Sequence, residues 1–314
     1  MVAHAKFEQS IQQWNWLTQV TPDLVRLQTV MVNSYLHGPL GSPDWVLIDA
    51  GLAKFEKRFL AAAEQRFGPY PPRAIILTHG HFDHVGNLRA LVERWGTMVW
   101  AHELELPYLT GQRDYPPGDP SVGGGLMARM APLYPRRAID LGTYIRPLPA
   151  DGSVPHMPGW RWLHTPGHTP GHISLWHEAD RHLIAGDAFI TQDQESLLGV
   201  ITEREQIHGP PKYFTTDWSA AHRSVQSLAS LEPDLAATGH GVPMSGQRLH
   251  DALYHLARRF TDIAVPRHGR YVHEPHARPP RHAESSSFLA GRLPKFLAGG
   301  AIAAIAARVL SRRR

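Results

Sequence analysis

Thr78-His79-Gly80-His81-Phe82-Asp83-His84-Val85-Gly86-Asn87 packs three imidazoles and a carboxylate into positions 79–84, directly after the apolar run Ala74-Ile75-Ile76-Leu77. Histidines crowded in water gain little from folding. A divalent cation of borderline softness stabilises such crowding, because imidazole and carboxylate are both good donors to it. The apolar run reads as a short buried strand ending at a Thr. Extended backbone just beyond it sends His79 and His81 to the same side, since side chains alternate with period two. The spacing of Val85, Leu88, Leu91 and Val92 predicts a helix from about Asp83 to Trp95, with Asp83 and His84 in its first turn. One donor pair then comes from a strand exit and the other from a helix entry, with Gly80 allowing a tight turn between the first two histidines. The competing reading is a His-rich surface loop with Asp83 as a plain helix cap, and it leaves the crowding unexplained.

The other half of such a site is expected where further strands end. His164-Thr165-Pro166-Gly167-His168-Thr169-Pro170-Gly171-His172 sets histidines in a double Pro-Gly turn, where Pro fixes φ and Gly permits sharp bends. Ala185-Gly186-Asp187-Ala188 puts a carboxylate at the exit of an apolar strand, and Thr238-Gly239-His240-Gly241 puts an imidazole between glycines. Each of these alone is an ordinary turn sequence. In this order, after the first motif, they form a series.

That series resembles the metallo-β-lactamase fold superfamily over most of residues 20–245. The resemblance implies an α/β fold, a four-layer αββα sandwich with the site at one edge of its two sheets. It also implies two divalent metal ions, zinc first with manganese or iron as alternatives. His79, His81 and His168 would hold one ion, Asp83, His84 and His240 the other, and Asp187 would bridge both. His168 is favoured over His172 because the family's histidine follows the first Thr-Pro-Gly; His164 and His172 then serve as supports or face solvent. Asp49 matches an early strand-end Asp that is structural in the family. The activity implied is a metal-dependent hydrolase using a metal-bridged hydroxide, with Asp83 also accepting the nucleophile's proton. The ligand pattern is similar to that of glyoxalase II, lactonase, phosphodiesterase and RNase Z-type relatives, and the Leu, Met and Tyr content of the 111–137 insertion points to a small, partly apolar organic ester, thioester or lactone as the expected substrate. The alternatives are a phosphodiesterase or RNase Z-type hydrolase, and a mononuclear-iron persulfide dioxygenase.

Composition narrows the chemistry. The 314 residues include no cysteine, so disulfides and thiolate ligands are excluded, and 21 histidines stand out. The charge is uneven. Residues 266–314 hold ten of the 32 Lys/Arg and two of the 28 Asp/Glu, which leaves residues 1–265 with a net charge of −4. A broad nucleic-acid-binding face on the body is therefore disfavoured. Residues 1–265 are expected to be the catalytic domain. Residues 266–314 are expected to form a basic tail: an extended Pro/Arg/His-rich arm over Arg267–His282, then an Ala-rich helix over Phe296–Leu310 ending in Arg312-Arg313-Arg314. At about 1.5 Å per residue that helix spans roughly 22 Å, short of the ~30 Å hydrocarbon core. It fits packing on the body or a partner, or peripheral membrane contact. Met1–Trp16 carries no apolar core of signal-peptide length, and the default location is cytoplasmic.

Alternating or apolar runs predict strands at Leu24–Val30, Val32–His37, Trp45–Asp49, Met98–Trp100, Trp160–His164, Ile173–His177, His182–Ala185 and Leu235–Thr238. Helices are predicted over Lys54–Phe67, Ala101–Leu109, Thr216–Leu231 and Ser245–Phe260. The Gly- and Pro-rich insertion 111–137, with apolar Leu126, Met127, Met130 and Leu133, reads as a pocket wall or lid. Phe189–Gln194 and Pro210–Thr215 are further candidates to shape a pocket.

Overall fold

The computed structural model describes residues 14–123, 125–193 and 205–274. Two sheets carry the fold. The first runs in chain order through Leu17–Thr21 (β1), Leu24–Thr29 (β2), Val32–His37 (β3), Val46–Ile48 (β4), Ala74–Ile76 (β5), Val99–Ala101 (β6) and Ile145–Pro147 (β7). Its first four strands are antiparallel and β4 to β7 are parallel. The second sheet contains Trp160–His164 (β8), Ile173–His177 (β9), His182–Gly186 (β10), Leu235–Thr238 (β11) and Met244–Ser245 (β12), ordered β12-β11-β10-β9-β8. Within it only the β10–β11 pair is parallel.

Parallel neighbours need crossovers, and helices supply them. Glu56–Phe67 (α1) links β4 to β5, and Leu88–Trp95 (α2) links β5 to β6. Leu106–Leu109 (α3) and Gly125–Met130 (α4) belong to the long connection from β6 to β7. Trp218–Ser230 (α5) links β10 to β11, and Gly246–Arg258 (α6) follows β12, with the single turns Phe260–Ile263 (α7) and Arg270–His273 (α8) after it.

The four layers follow from side-chain period. On β4 and β5, Leu47 and Ile75 face α1 and α2, meeting Phe59, Ala62, Ala63, Phe67, Leu88, Leu91 and Val92. Their neighbours Val46, Ile48, Ala74 and Ile76 point the other way and pack between the sheets against Ile173, Leu175, Ile184 and Ala237. On the far side Leu183, Ala185 and Ala236 meet Val225 and Leu228 of α5 and Leu249, Leu253 and Leu256 of α6. Three apolar interfaces thus separate helices, sheet, sheet and helices, the expected αββα arrangement.

Three local expectations are corrected. The helix expected from Asp83 begins at Leu88. Residues 83–87 form turns instead: the amides of His84 and Val85 both donate to His81 O, and that of Leu88 donates to Val85 O. The Asn87 side chain fixes the turn, donating to Ala50 O and Leu52 O and accepting from Phe55 N. Gly80 is needed for close approach, since a Cβ there would lie 2.6 Å from the Tyr115 hydroxyl, and its φ is not in the left-handed region. The start of the expected extended arm instead folds back as α8. The Tyr271 hydroxyl donates to Pro117 O at 2.8 Å, and the Arg270 amide donates to Asp119.

The short strands β1, β7 and β12 had no expectation in the sequence. By contacts the chain divides into two units, Met1–His276 and Ala277–Arg314. The expected Phe296–Leu310 helix falls in the second unit and outside the described residues. No helix among the described residues is long and apolar enough to cross a membrane.

Candidate metal centre

The parallel strands deliver the motif residues to one edge. Asp49 follows β4, His79 to His84 follow β5, Asp187 follows β10 and His240 follows β11; the His164–His172 turn joins β8 to β9. All seven residues implied by the sequence come together. Three groups have donor atoms within 4.8 Å of one another: His79, His81 and His168; His79, His84 and Asp187; and Asp83, His84 and His240. His81 Nδ1 lies 3.1 Å from His79 Nε2 and 3.0 Å from His168 Nε2. Asp187 Oδ2 stands between the clusters, 3.5 Å from His168 Nε2, 3.5 Å from His84 Nε2 and 3.1 Å from His240 Nε2. Asp83 Oδ2 is 3.6 Å from His240 Nε2. All seven are buried.

The rings are held from behind. Asp49 Oδ2 accepts from the Thr78 hydroxyl at 2.8 Å and pairs with His84 Nδ1 at 2.9 Å, while its Oδ1 accepts from Thr78 N at 2.8 Å. The Thr78 hydroxyl, having donated to Asp49, can only accept from His79 Nδ1 at 3.1 Å. His240 Nδ1 donates to the carbonyl of Met31 at 3.0 Å. The Thr215 hydroxyl donates to Pro211 O at 2.8 Å and therefore accepts from His168 Nδ1 at 3.3 Å. Four rings thus hold a proton on Nδ1 and turn Nε2 inward, the orientation a metal ligand needs. His172 differs. Its Nε2 accepts from Asp187 N at 2.8 Å and its Nδ1 contacts Thr165 O at 3.1 Å, so both nitrogens are occupied. It supports the carboxylate-bearing turn, and His168 is the ring that faces the cluster. His164 lies stacked on His102, ring centroids 4.2 Å apart.

The donor set fits a cation. Burial, then the neighbouring imidazoles, hold His79 and His168 well below the usual imidazole range, and burial brings His81 to about 3. These rings are neutral at pH 7, with lone pairs free. Burial alone would raise Asp187, but His240 and His84 hold its carboxyl well below the usual range. Burial would lower His84, yet the Asp187, Asp49 and Asp83 carboxylates lift it well above 6.5, and His240 rises for similar reasons. A divalent ion would replace those protons with charge of the same sign. His84 Nε2 and Asp187 Oδ1 are buried without a hydrogen-bond partner, the state of donors arranged for something else. Gly239 keeps the space open: a Cβ there would fall 2.0 Å from Asp187 Oδ1 and 2.8 Å from His84 Cε1.

An aromatic wall borders the centre. The Phe214 ring lies 4.9 Å from that of His81 and Tyr115 lies 4.6 Å from it; Phe82 stacks on Tyr134 at 5.6 Å. Tyr115 and Tyr134 come from the 111–137 insertion, which therefore serves as a wall. Tyr213 packs against Tyr134 and Phe214, while Phe189 is buried in the outer core. Gln194 lies outside the described residues. The sequence pointed to Thr215 only as part of a pocket-shaping run, and did not single out the Met31 carbonyl or the buried Glu105, which accepts from Gly80 N, the Thr169 hydroxyl and Gly171 N. Nothing in local sequence separates Glu105 from the exposed Glu103 two positions earlier.

The chain is similar to several known proteins. The metallo-beta-lactamase superfamily signature matches residues 27–240. A Bacillus subtilis protein described as "Probable metallo-hydrolase YflN" is 46% identical over 230 residues, covering 73% of this chain and 87% of that protein. The crystal structure of TTHA1623 in a di-iron-bound form is 27% identical with a TM-score of 0.50, covering 76% of this chain and 98% of that one. BLEG-1, a B3 metallo-beta-lactamase, shares the fold at 22% identity and a TM-score of 0.52, covering 74% and 97%.

Proposed function

Since the chain belongs to the metallo-β-lactamase superfamily and is a metallo-hydrolase of that family, we propose that it works with two divalent ions and cleaves a small organic ester, thioester or lactone. His79, His81 and His168 would hold one ion and Asp83, His84 and His240 the other, with Asp187 placed to serve both. The observation that carries this reading is the position of Asp187 Oδ2, within 3.5 Å of one Nε2 of the first triad and two of the second. Zinc, manganese and iron all suit a nitrogen and oxygen donor set, and the di-iron relative keeps iron in play.

Bound ions would supply hydroxide from water at neutral pH and polarise the scissile carbonyl. The protein's own groups do the rest. Asp83, which stands 3.6 Å from His240 at the edge of the cluster, would accept the proton of the attacking water. The Nδ1 partners of His84, His168 and His240 keep each ring aimed without reorganisation during turnover. Phe82, Tyr134 and Phe214 offer apolar surface to an acyl or ring portion of the substrate and exclude water beside His81. Such a wall suits a small partly apolar ester better than a polynucleotide, in keeping with the net −4 of residues 1–265. The basic tail is proposed to pack on the body or a partner, with peripheral contact with a membrane as the alternative.

The test is a substrate panel run on metal-stripped protein and on protein reconstituted with zinc, manganese or iron. Turnover of lactones or thioesters that vanishes on chelation and returns with metal supports the reading. Turnover confined to phosphodiesters, or oxygen uptake with a persulfide, would replace it with one of the alternatives.

A further inference from the structure

We infer that Glu105 is a positioning residue that sets the spacing of the three-histidine half of the centre, although it touches no donor atom there. It lies in the 3-10 turn Glu103–Glu105 after β6 and is completely buried. Oε2 accepts from Gly80 N at 3.0 Å and from the Tyr115 hydroxyl. Oε1 accepts from the Thr169 hydroxyl and from Gly171 N, both at 2.8 Å. Gly80 separates His79 from His81, and Thr169 follows His168. One carboxylate therefore ties together two loops from different sheets, whose histidines approach to 3.0 Å.

Four donors on four lone-pair positions saturate the group and offset part of the cost of burying its charge. Gly171 leaves room for Glu105 itself, and Gly80 for its partner Tyr115. A Cβ on Gly171 would stand 2.7 Å from Glu105 Cγ, and one on Gly80 would stand 2.6 Å from the Tyr115 hydroxyl. Two loops drawn that close to one side chain are indexed by it, as second-sphere carboxylates index metal-bound imidazoles elsewhere. Tyr115 extends the tie to the 111–137 insertion, so the wall and the metal loops share one anchor.

This inference rests on the ligand assignment proposed above, and the experiment separates the two. Zinc affinities are measured by chelator competition on the full chain, for wild type and Glu105→Gln. Glutamine keeps the shape, but its amide NH2 must face either Gly80 N or Gly171 N, neither of which can accept. The expected result is two zinc equivalents in both proteins, with one bound about 10–100-fold more weakly in the variant. In a His168→Ala background, where the three-histidine site is already lost, Glu105→Gln should leave the remaining equivalent unchanged within about two-fold, as a shared-site cycle requires. Tyr115→Phe, which removes one donor and keeps the carboxylate, should show a smaller loss in the same equivalent, and it decides the matter if Glu105→Gln does not fold. Unaltered affinities in these variants, or equal weakening of both equivalents, would overturn the inference. Wild type that binds no zinc would instead overturn the ligand assignment.

Discussion

Asp187→Ala should reduce turnover to background, a loss on the order of 10³-fold or more given what electrostatic and metal contributions supply at such centres. The size follows from position. Asp187 Oδ2 lies within 3.5 Å of His168, His84 and His240 together, so its loss weakens both triads at once. A single-triad change such as His168→Ala should leave one ion bound. The fold should survive Asp187→Ala, because the carboxylate contributes no side-chain bond to the apolar cores, and the His172 Nε2 bond is to the Asp187 backbone amide. Metal content, turnover and circular dichroism on the same preparation check this. Full activity in the variant would remove Asp187 from the centre.

Asp49 gives the second large effect, and two substitutions there should separate stability from metal binding. Asp49→Ala strips acceptors from three buried donors, Thr78 N, the Thr78 hydroxyl and His84 Nδ1. Leaving buried donors unpaired should cost about 3 kcal/mol or more, read as a lower denaturant midpoint. Asp49→Asn keeps the shape. Its NH2 cannot face the Thr78 amide, which only donates, so it must sit at the Oδ2 position, pointing at His84 Nδ1 and obliging the Thr78 hydroxyl to accept where it had donated. His84 must then carry its proton on Nε2, the atom that faces the cluster. The expected result is a nearly normal midpoint with a loss of about 10–100-fold in metal affinity. Equal effects of the two variants on stability and on metal would contradict this account.

The sequence displayed the donors more clearly than the supports. Strand ends are marked by apolar runs meeting His or Asp, so β5, β10 and β11 and the residues after them were legible. The layers were legible through period-two alternation, as with Leu47 against Val46 and Ile48. The stretch 83–87 misled because Val85, Leu88, Leu91 and Val92 keep an apolar face whether the chain enters a helix at Asp83 or turns until Leu88. The Asn87 bonds that decide the matter reach positions 32 to 37 residues away. Glu105 was invisible for a related reason: its partners lie 10 to 66 residues distant, and a buried Glu looks like any other until they are known. Which of His168 and His172 faces the cluster is visible only from three-dimensional partners, since both follow a Thr-Pro-Gly. The Arg267–His282 arm was misread at its start because a Pro/Arg/His-rich composition does not reveal that Tyr271 has Pro117 O to bond.

Buried histidines and aspartates from four chain segments are proposed to enclose a pair of cations. Metal analysis of the full chain, purified without added metal and then titrated with zinc, tests it most directly. Saturation at two equivalents per chain, falling to one in His168→Ala, is the predicted result. Saturation at one equivalent in wild type, or no binding at all, would contradict it.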